Sequence, residues 1–266
     1  VKKLDAIVFN SIENFPTESL FQYFGSKPYN FKEESVTVNT RFNTNGFRSN
    51  EFAKSSDKDI ILCAGCSITF GVGLAEEETW PTMLKNIIGQ DTVEMYNISR
   101  PGWSAYDIVY NVFLYLHNFK KPAEIYILLP DDSRTSGYSI VHKVHGTFAL
   151  IPGREDEGIQ ETEEIRLSNA IHIKNYLFML EEYCRVQDIK LFVSTWSENN
   201  FINKNNKVLK NYYPYDKQSS IRFVRDYEEK NPESDFIFYA RDNSHHGIGF
   251  HSYWAEMFSK ARKESL

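Results

Sequence analysis

The chain reads as an α/β protein, a three-layer α/β/α domain around a central parallel sheet of about five strands. From Asp59 onward, short apolar runs alternate with amphipathic stretches. That rhythm implies right-handed crossovers and a doubly wound parallel sheet. The segment Asp59–Ala64 carries the unbroken apolar run Ile60-Ile61-Leu62-Cys63-Ala64, as expected of a strand covered on both faces rather than on one. At 266 residues, with 41% hydrophobic and 15% aromatic content, the chain can fill an ample core.

Asp59–Ala64 is the first strand. Trp80, Met83, Leu84, Ile87 and Ile88 then recur at helical spacing, with Pro81 in the first turn, where its missing N–H costs nothing. Val93–Ile98 reads as the second strand. Ser104 is placed to cap a helix from Ala105 to about Phe119. Glu124–Leu129 is the third strand, stopped by Pro130. Ala170, Ile173, Leu177, Leu180 and Cys184 mark one face of a long helix, and Leu191–Thr195 follows as the fourth strand. Phe236–Tyr239 is the expected fifth strand, and Tyr253–Ala261 the terminal helix. Residues 1–58 lack this alternation and read as an N-terminal extension laid across a domain of residues 59–266. Segments 134–165 and 197–219 exceed ordinary connections and read as insertions.

The net charge of −6 lacks the basic footprint of generic nucleic-acid binding. No apolar run reaches the length of a membrane span, and the start at Val1 lacks a signal-peptide core. Three cysteines do not make a disulfide framework, so a reducing, cytoplasmic compartment is the default expectation. Nothing in the pattern speaks to oligomeric state.

The first strand ends in Gly65-Cys66-Ser67-Ile68-Thr69-Phe70-Gly71, which puts a hydroxyl at the carboxyl edge of the sheet. In open α/β sheets that edge is the ligand crevice. For a serine at a strand end the ordinary role is a helix cap. A nucleophilic role needs a base to take its proton and a third group to orient that base. Asp242-Asn243-Ser244-His245 supplies both types, three residues apart, so that the carboxylate can curl back onto its neighbour's imidazole. His246 and His251 compete with His245 for the role of base. Cys63-Ala64-Gly65-Cys66 is a C-x-x-C, but Cys63 lies within the apolar strand, which disfavours redox chemistry. The histidines and Asp242 lack the helical pair of zinc enzymes, and no metal site or cofactor is expected. His142 and His145 read as decoration of the insertion.

Together these segments resemble the SGNH (GDSL-like) esterase and acylhydrolase superfamily. Gly65-Cys66-Ser67 stands at its Gly-Asp-Ser signature, with cysteine for aspartate, and Thr69, Gly71, Gly73 and Glu77-Glu78-Thr79-Trp80-Pro81 continue the match. Asn97-Ile98-Ser99-Arg100-Pro101-Gly102 is similar to the family's second block, and Asp242 to His245 to its Asp-x-x-His block. Asn43-Thr44-Asn45-Gly46-Phe47-Arg48 is similar to a segment that precedes the first strand in some members. The resemblance implies a flavodoxin-like fold, no cofactor, and Ser67, Asp242 and His245 as the catalytic residues. It assigns the oxyanion donors to the amides of Ser67 and Gly102 and to an asparagine side chain. Asp131 stands at that asparagine position, and an ionised carboxylate only accepts hydrogen bonds. Arg134, or else Arg48 or Arg100, is the expected replacement donor; the other reading is that the insertion moves another amide into place.

The implied activity is serine esterase or acylhydrolase chemistry on a small ester or acylated carbohydrate. O-deacetylation of a sugar is the narrower expectation, with Trp103, Trp196, Tyr138 and Tyr212-Tyr213-Pro214-Tyr215 as an aromatic platform. The alternative is a catalytically weak SGNH-like carbohydrate-binding or structural module, for which Asp131 is the main argument.

Overall fold

A computed structural model describes residues 42–131, 134–139, 144–149, 163–198, 202 and 209–265. Its centre is a five-stranded, all-parallel sheet built from β1 (Asp59–Gly65), β2 (Val93–Asn97), β3 (Glu124–Leu129), β6 (Lys190–Thr195) and β7 (Tyr212–Tyr213), in the order β2-β1-β3-β6-β7. Two further strands, β4 (Arg134–Ser139) and β5 (Val144–Ala149), pair antiparallel in a separate two-stranded sheet within the first expected insertion. Among the described residues the α-helices are α1 (Ser67–Phe70), α2 (Trp80–Ile88), α3 (Ala105–Asn118), α4 (Glu163–Val186), α5 (Lys217–Lys230) and α6 (Ile248–Glu264).

Alternation along each strand divides the core into two halves. Ile60, Leu62 and Ala64 of β1 and Ile125, Ile127 and Leu129 of β3 pack with Ile108 and Val112 of α3 and Ile173, Leu177 and Leu180 of α4. Ile61, Cys63, Tyr126, Leu128 and Phe192 point the other way, onto Trp80 and Leu84 of α2, Val224 of α5, and Phe250, Trp254 and Phe258 of α6. These are the three layers that the continuous apolar run of β1 implied. Ser104 caps α3 as expected, its hydroxyl accepting from the Asp107 amide while the Asp107 carboxylate accepts from the Ser104 amide.

The fifth strand is not where the sequence pattern put it. Phe236–Tyr239 is a reversing loop: Phe236 has φ +60, and Tyr239 makes an isolated antiparallel bridge to His246. The carbonyls of Phe236, Ile237 and Phe238 accept from the amides of Ile248, Gly249 and Gly247, the approach to α6, instead of from a neighbouring strand. The edge strand is β7, two residues inside the second expected insertion. The terminal helix also begins earlier than expected, at Ile248.

Candidate active site

The sheet order reverses direction between β1 and β3, the switch point where open α/β sheets hold their ligands. β1 delivers Ser67 there. Cys66 is the N-cap of α1, so Ser67 is the helix's first residue and not its cap. The Ser67 side chain is nearly buried, and its Oγ lies 3.9 Å from Cys66 Sγ. Gly71 closes the one-turn helix in the left-handed region, with φ +80, and its amide and that of Val72 both donate to the Ser67 carbonyl.

The second segment folds against the first. The Arg241 amide donates to the Gly73 carbonyl at 3.2 Å, and the Arg241 guanidinium forks onto Glu78 at 2.6 and 2.9 Å. Gly73 has φ +75, and a Cβ there would sit 3.0–3.2 Å from Ala240 Cβ and the Arg241 and Asp242 amides. The turn after Ser67 and the start of the Asp242 turn are therefore in backbone contact.

Within that turn Asp242 is buried, and its Oδ1 accepts from the Ser244 and His245 amides at 3.1 and 3.0 Å. Its Oδ2 takes a short hydrogen bond from His245 Nδ1. Burial alone would raise the Asp242 carboxyl. The side-chain and backbone hydrogen bonds from His245 outweigh burial and hold it below the usual aspartate range. An ionised carboxylate only accepts, so Nδ1 carries the proton and a neutral His245 keeps Nε2 as its basic nitrogen. No hydrogen bond joins Ser67 to His245.

The loop after β2 is the third component. The Arg100 amide donates to the Gly65 carbonyl at 3.4 Å, which sets this loop beside the serine turn. Gly102 is exposed with φ +85 and open space where a Cβ would be. Among the described residues neither the Ser67 nor the Gly102 amide has an acceptor.

The three arginines named from sequence part company. Arg48 is committed to the carbonyls of Phe70, Gly71 and Leu74, and Arg100 to the carbonyl of Gly46 and the ring of Phe47. Arg134 lies with its guanidinium 5.8 Å from the ring of Trp196, and its Nη1 is buried without a partner among the described residues. Trp196 Nε1 in turn donates to Cys66 Sγ at 3.3 Å, a contact that no sequence pattern announced. Asp131 accepts from Ser197 Oγ at 2.6 Å.

Of the expected aromatic platform, Tyr212 and Tyr215 are core residues and Trp103 packs edge-on to Phe47. Trp196 touches the serine turn through Cys66. The side chain of Tyr138 lies outside the described residues, as do those of His142 and His145. Cys63 and Cys66 are both fully buried free thiols, and burial pushes Cys63 well up, so the C-x-x-C lacks an exposed thiolate. Among the described residues no three His, Cys, Asp or Glu side chains are grouped to hold a metal, and no helix is long and apolar enough to cross a membrane.

His246 and His251 are packing residues. His251 is buried, and its Nδ1 accepts from the Trp80 amide at 2.9 Å; His246 lies among Trp196, Phe250 and Trp254. Burial first, then nearby positive charge, pushes His246 down to about 4 and His251 down to about 3. Both folded values lie below the ordinary histidine value near ~6.5. Their stabilisation is therefore complete above that value and is lost as pH falls towards the folded ones. Each imidazole should add a slope of about 1.4 kcal/mol per pH unit in that window. Urea unfolding at pH 7 and pH 5 should show the loss. His251→Gln, which can still accept from Trp80, should flatten the dependence, and equal stability at both pH values would contradict this.

No protein-family model matches the chain, and no curated protein sequence matches it. Among solved structures it is similar to the psychrotrophic esterase EstA from a Pseudoalteromonas species, at 12% identity and TM-score 0.45, over 79% of this chain and 99% of that one. It is similar to the acetyl xylan esterase AlAXEase at 16% identity and TM-score 0.45, over 76% and 98%. A lipolytic protein of the G-D-S-L family from Desulfitobacterium hafniense, described as putative, aligns at 12% identity and TM-score 0.41, over 77% and 99%. Identities this low transfer no residue roles, so the roles must come from this chain's own geometry.

Proposed function

We propose that the protein is a serine esterase or acylhydrolase of the SGNH (GDSL-like) type, cleaving a carboxylic ester through an acyl-serine intermediate. The observation that carries this is the hydrogen-bonded pair of buried Asp242 and half-buried His245, in a turn whose backbone packs on the turn following Ser67. His245 Nε2 takes the Ser67 proton as Oγ attacks the ester carbonyl carbon. The unpaired amides of Ser67 and Gly102 receive the oxyanion. The imidazolium, steadied by Asp242, then protonates the departing alcohol, and water deacylates the serine by the same route. Ser67 Oγ rests against Cys66, so substrate binding must complete the serine–histidine hydrogen bond, as often happens in apo sites.

The third oxyanion donor is assigned to Arg134, whose buried Nη1 lacks an acceptor among the described residues. Arg134→Ala should lower kcat on p-nitrophenyl acetate by about 10²–10³, the usual effect of losing one donor. Asp131→Asn, which turns an acceptor-only group into a donor, should raise kcat. Unchanged turnover in Arg134→Ala would remove that residue from the site. The narrower substrate is an O-acetylated carbohydrate, with Trp196 as the aromatic wall. A weakly catalytic binding module is the second reading, favoured by Asp131 and by the unmade Ser67–His245 bond. Sugar binding without turnover, unaffected by Ser67→Ala, would establish it.

A further inference from the structure

We infer that Arg48 is a positioning residue for the serine turn, fixing from outside the catalytic segments where the Ser67 amide and hydroxyl stand. The inference rests on the acyl-transfer role proposed for Ser67. The Arg48 guanidinium donates from Nη1 to the carbonyls of Phe70 and Gly71 at 3.0 and 2.8 Å and from Nη2 to that of Leu74 at 2.8 Å. The carbonyls of Phe70 and Gly71 lie at and just beyond the C-terminal end of α1, where a helix leaves acceptors without intrahelical donors, and a cation is favourable there. The one-turn helix is too short to hold its own geometry by propagation. Its inner side is closed by the Gly71 and Val72 amides on the Ser67 carbonyl, and its outer side by Arg48.

Among the described residues Arg48 lacks the ion-pair partner that a buried cation ordinarily has. Arg48 is almost completely buried, and no carboxylate lies within ion-pair distance among the described residues. Its Nε is buried without an acceptor. Burial pulls the group down to about 10 in spite of Glu76, Glu77 and Glu78 nearby. A buried cation without an ion-pair partner is costly, and well-packed apolar replacements for buried charges are often neutral or stabilising. What Arg48 supplies instead is a rigid fork spanning three carbonyls, a geometry no apolar side chain can impose.

The strap that carries Arg48 is itself pinned to the second loop. Asn43 Oδ1 accepts from the amides of Asn45 and Phe47, Arg100 donates to the Gly46 carbonyl, and the Asn97 amide donates to Ser49 Oγ. Asn97 Nδ2 returns to the Thr69 carbonyl of α1 at 2.8 Å. The strap thus ties the turn bearing the Ser67 amide to the loop bearing the Gly102 amide, and Arg48 is its contact with the former.

The test compares full-length wild type, Arg48→Met and Arg48→Lys in two assays. One is hydrogen exchange of the peptide covering residues 67–75 against that covering 124–129; the other is the rate of Ser67 labelling by a fluorophosphonate. Arg48→Met should exchange at least tenfold faster in 67–75 with 124–129 unchanged, and label at least tenfold more slowly; Arg48→Lys should recover part of both. Exchange unchanged, or raised equally in both peptides, would overturn the positioning role. If Arg48→Met does not fold, Arg48→Lys decides: selective loosening of 67–75 supports the role and its absence overturns it. Wild type that resists labelling would overturn the acyl-transfer function instead, while the exchange comparison still decides whether Arg48 holds the turn.

Discussion

Ser67→Ala is expected to abolish ester turnover, with a loss in kcat on the order of 10⁵–10⁶, and His245→Ala to do nearly the same. In the proposed mechanism the hydroxyl and the imidazole act as one unit. Without Oγ there is nothing to acylate, and without Nε2 the hydroxyl keeps its proton at neutral pH. The double variant should therefore be scarcely worse than either single one. Asp242→Asn should cost about 10⁴, since an amide in place of the carboxylate favours the wrong imidazole tautomer. Steady-state rates on an acetyl ester, with thermal melts to show that each variant is folded, check all three. Turnover surviving in folded Ser67→Ala would contradict the assignment of the nucleophile.

The largest effect on stability is expected at Gly247, the residue that joins the Asp242–His245 turn to α6. A Cβ there would lie 2.0 Å from the Phe236 carbonyl oxygen and 2.7 Å from that of Ile237. Both obstacles are backbone, and both carbonyls already accept from the Ile248 and Gly249 amides. Neither can yield without breaking the start of α6, whose Trp254 and Phe258 anchor the second half of the core. Gly247→Ala should cost on the order of 4 kcal/mol, at the upper end of single substitutions. For a domain of this size that is a fall in Tm of about 8–16 °C. Because the same shift drags His245, residual activity in any folded fraction should fall as well. A melt within a degree or two of wild type would contradict this packing.

The parts of the fold that were legible in the sequence are those where one physical signal acts alone. β1 and β3 are covered on both faces and so are apolar without interruption, and α2 and α3 carry a one-sided apolar stripe with a proline or a capping serine at the start. Phe236-Ile237-Phe238-Tyr239 misled for a clear reason. Strand-forming side chains are equally at home in a buried loop, and Ile237 and Phe238 pack on the second core without any ladder partner. The true edge strand, Tyr212–Tyr213, is too short to show a period. At the site, the Asp242–His245 pair was legible because its three-residue spacing is local. The contacts of Arg48 and Trp196 were not: an arginine that binds main-chain carbonyls, or an indole that donates to a thiol, has no partner side-chain type to look for. Their contacts span 23 and 130 residues, set by topology and not by local pattern.

The most direct test of an activated serine is intact-mass labelling by a fluorophosphonate, with wild type beside Ser67→Ala and His245→Ala. A single adduct on wild type, none on Ser67→Ala and a strongly slowed adduct on His245→Ala are the predicted results. Folded wild type that gains no adduct, or Ser67→Ala that labels as fast as wild type, would contradict an acyl-serine enzyme built on Ser67, His245 and Asp242.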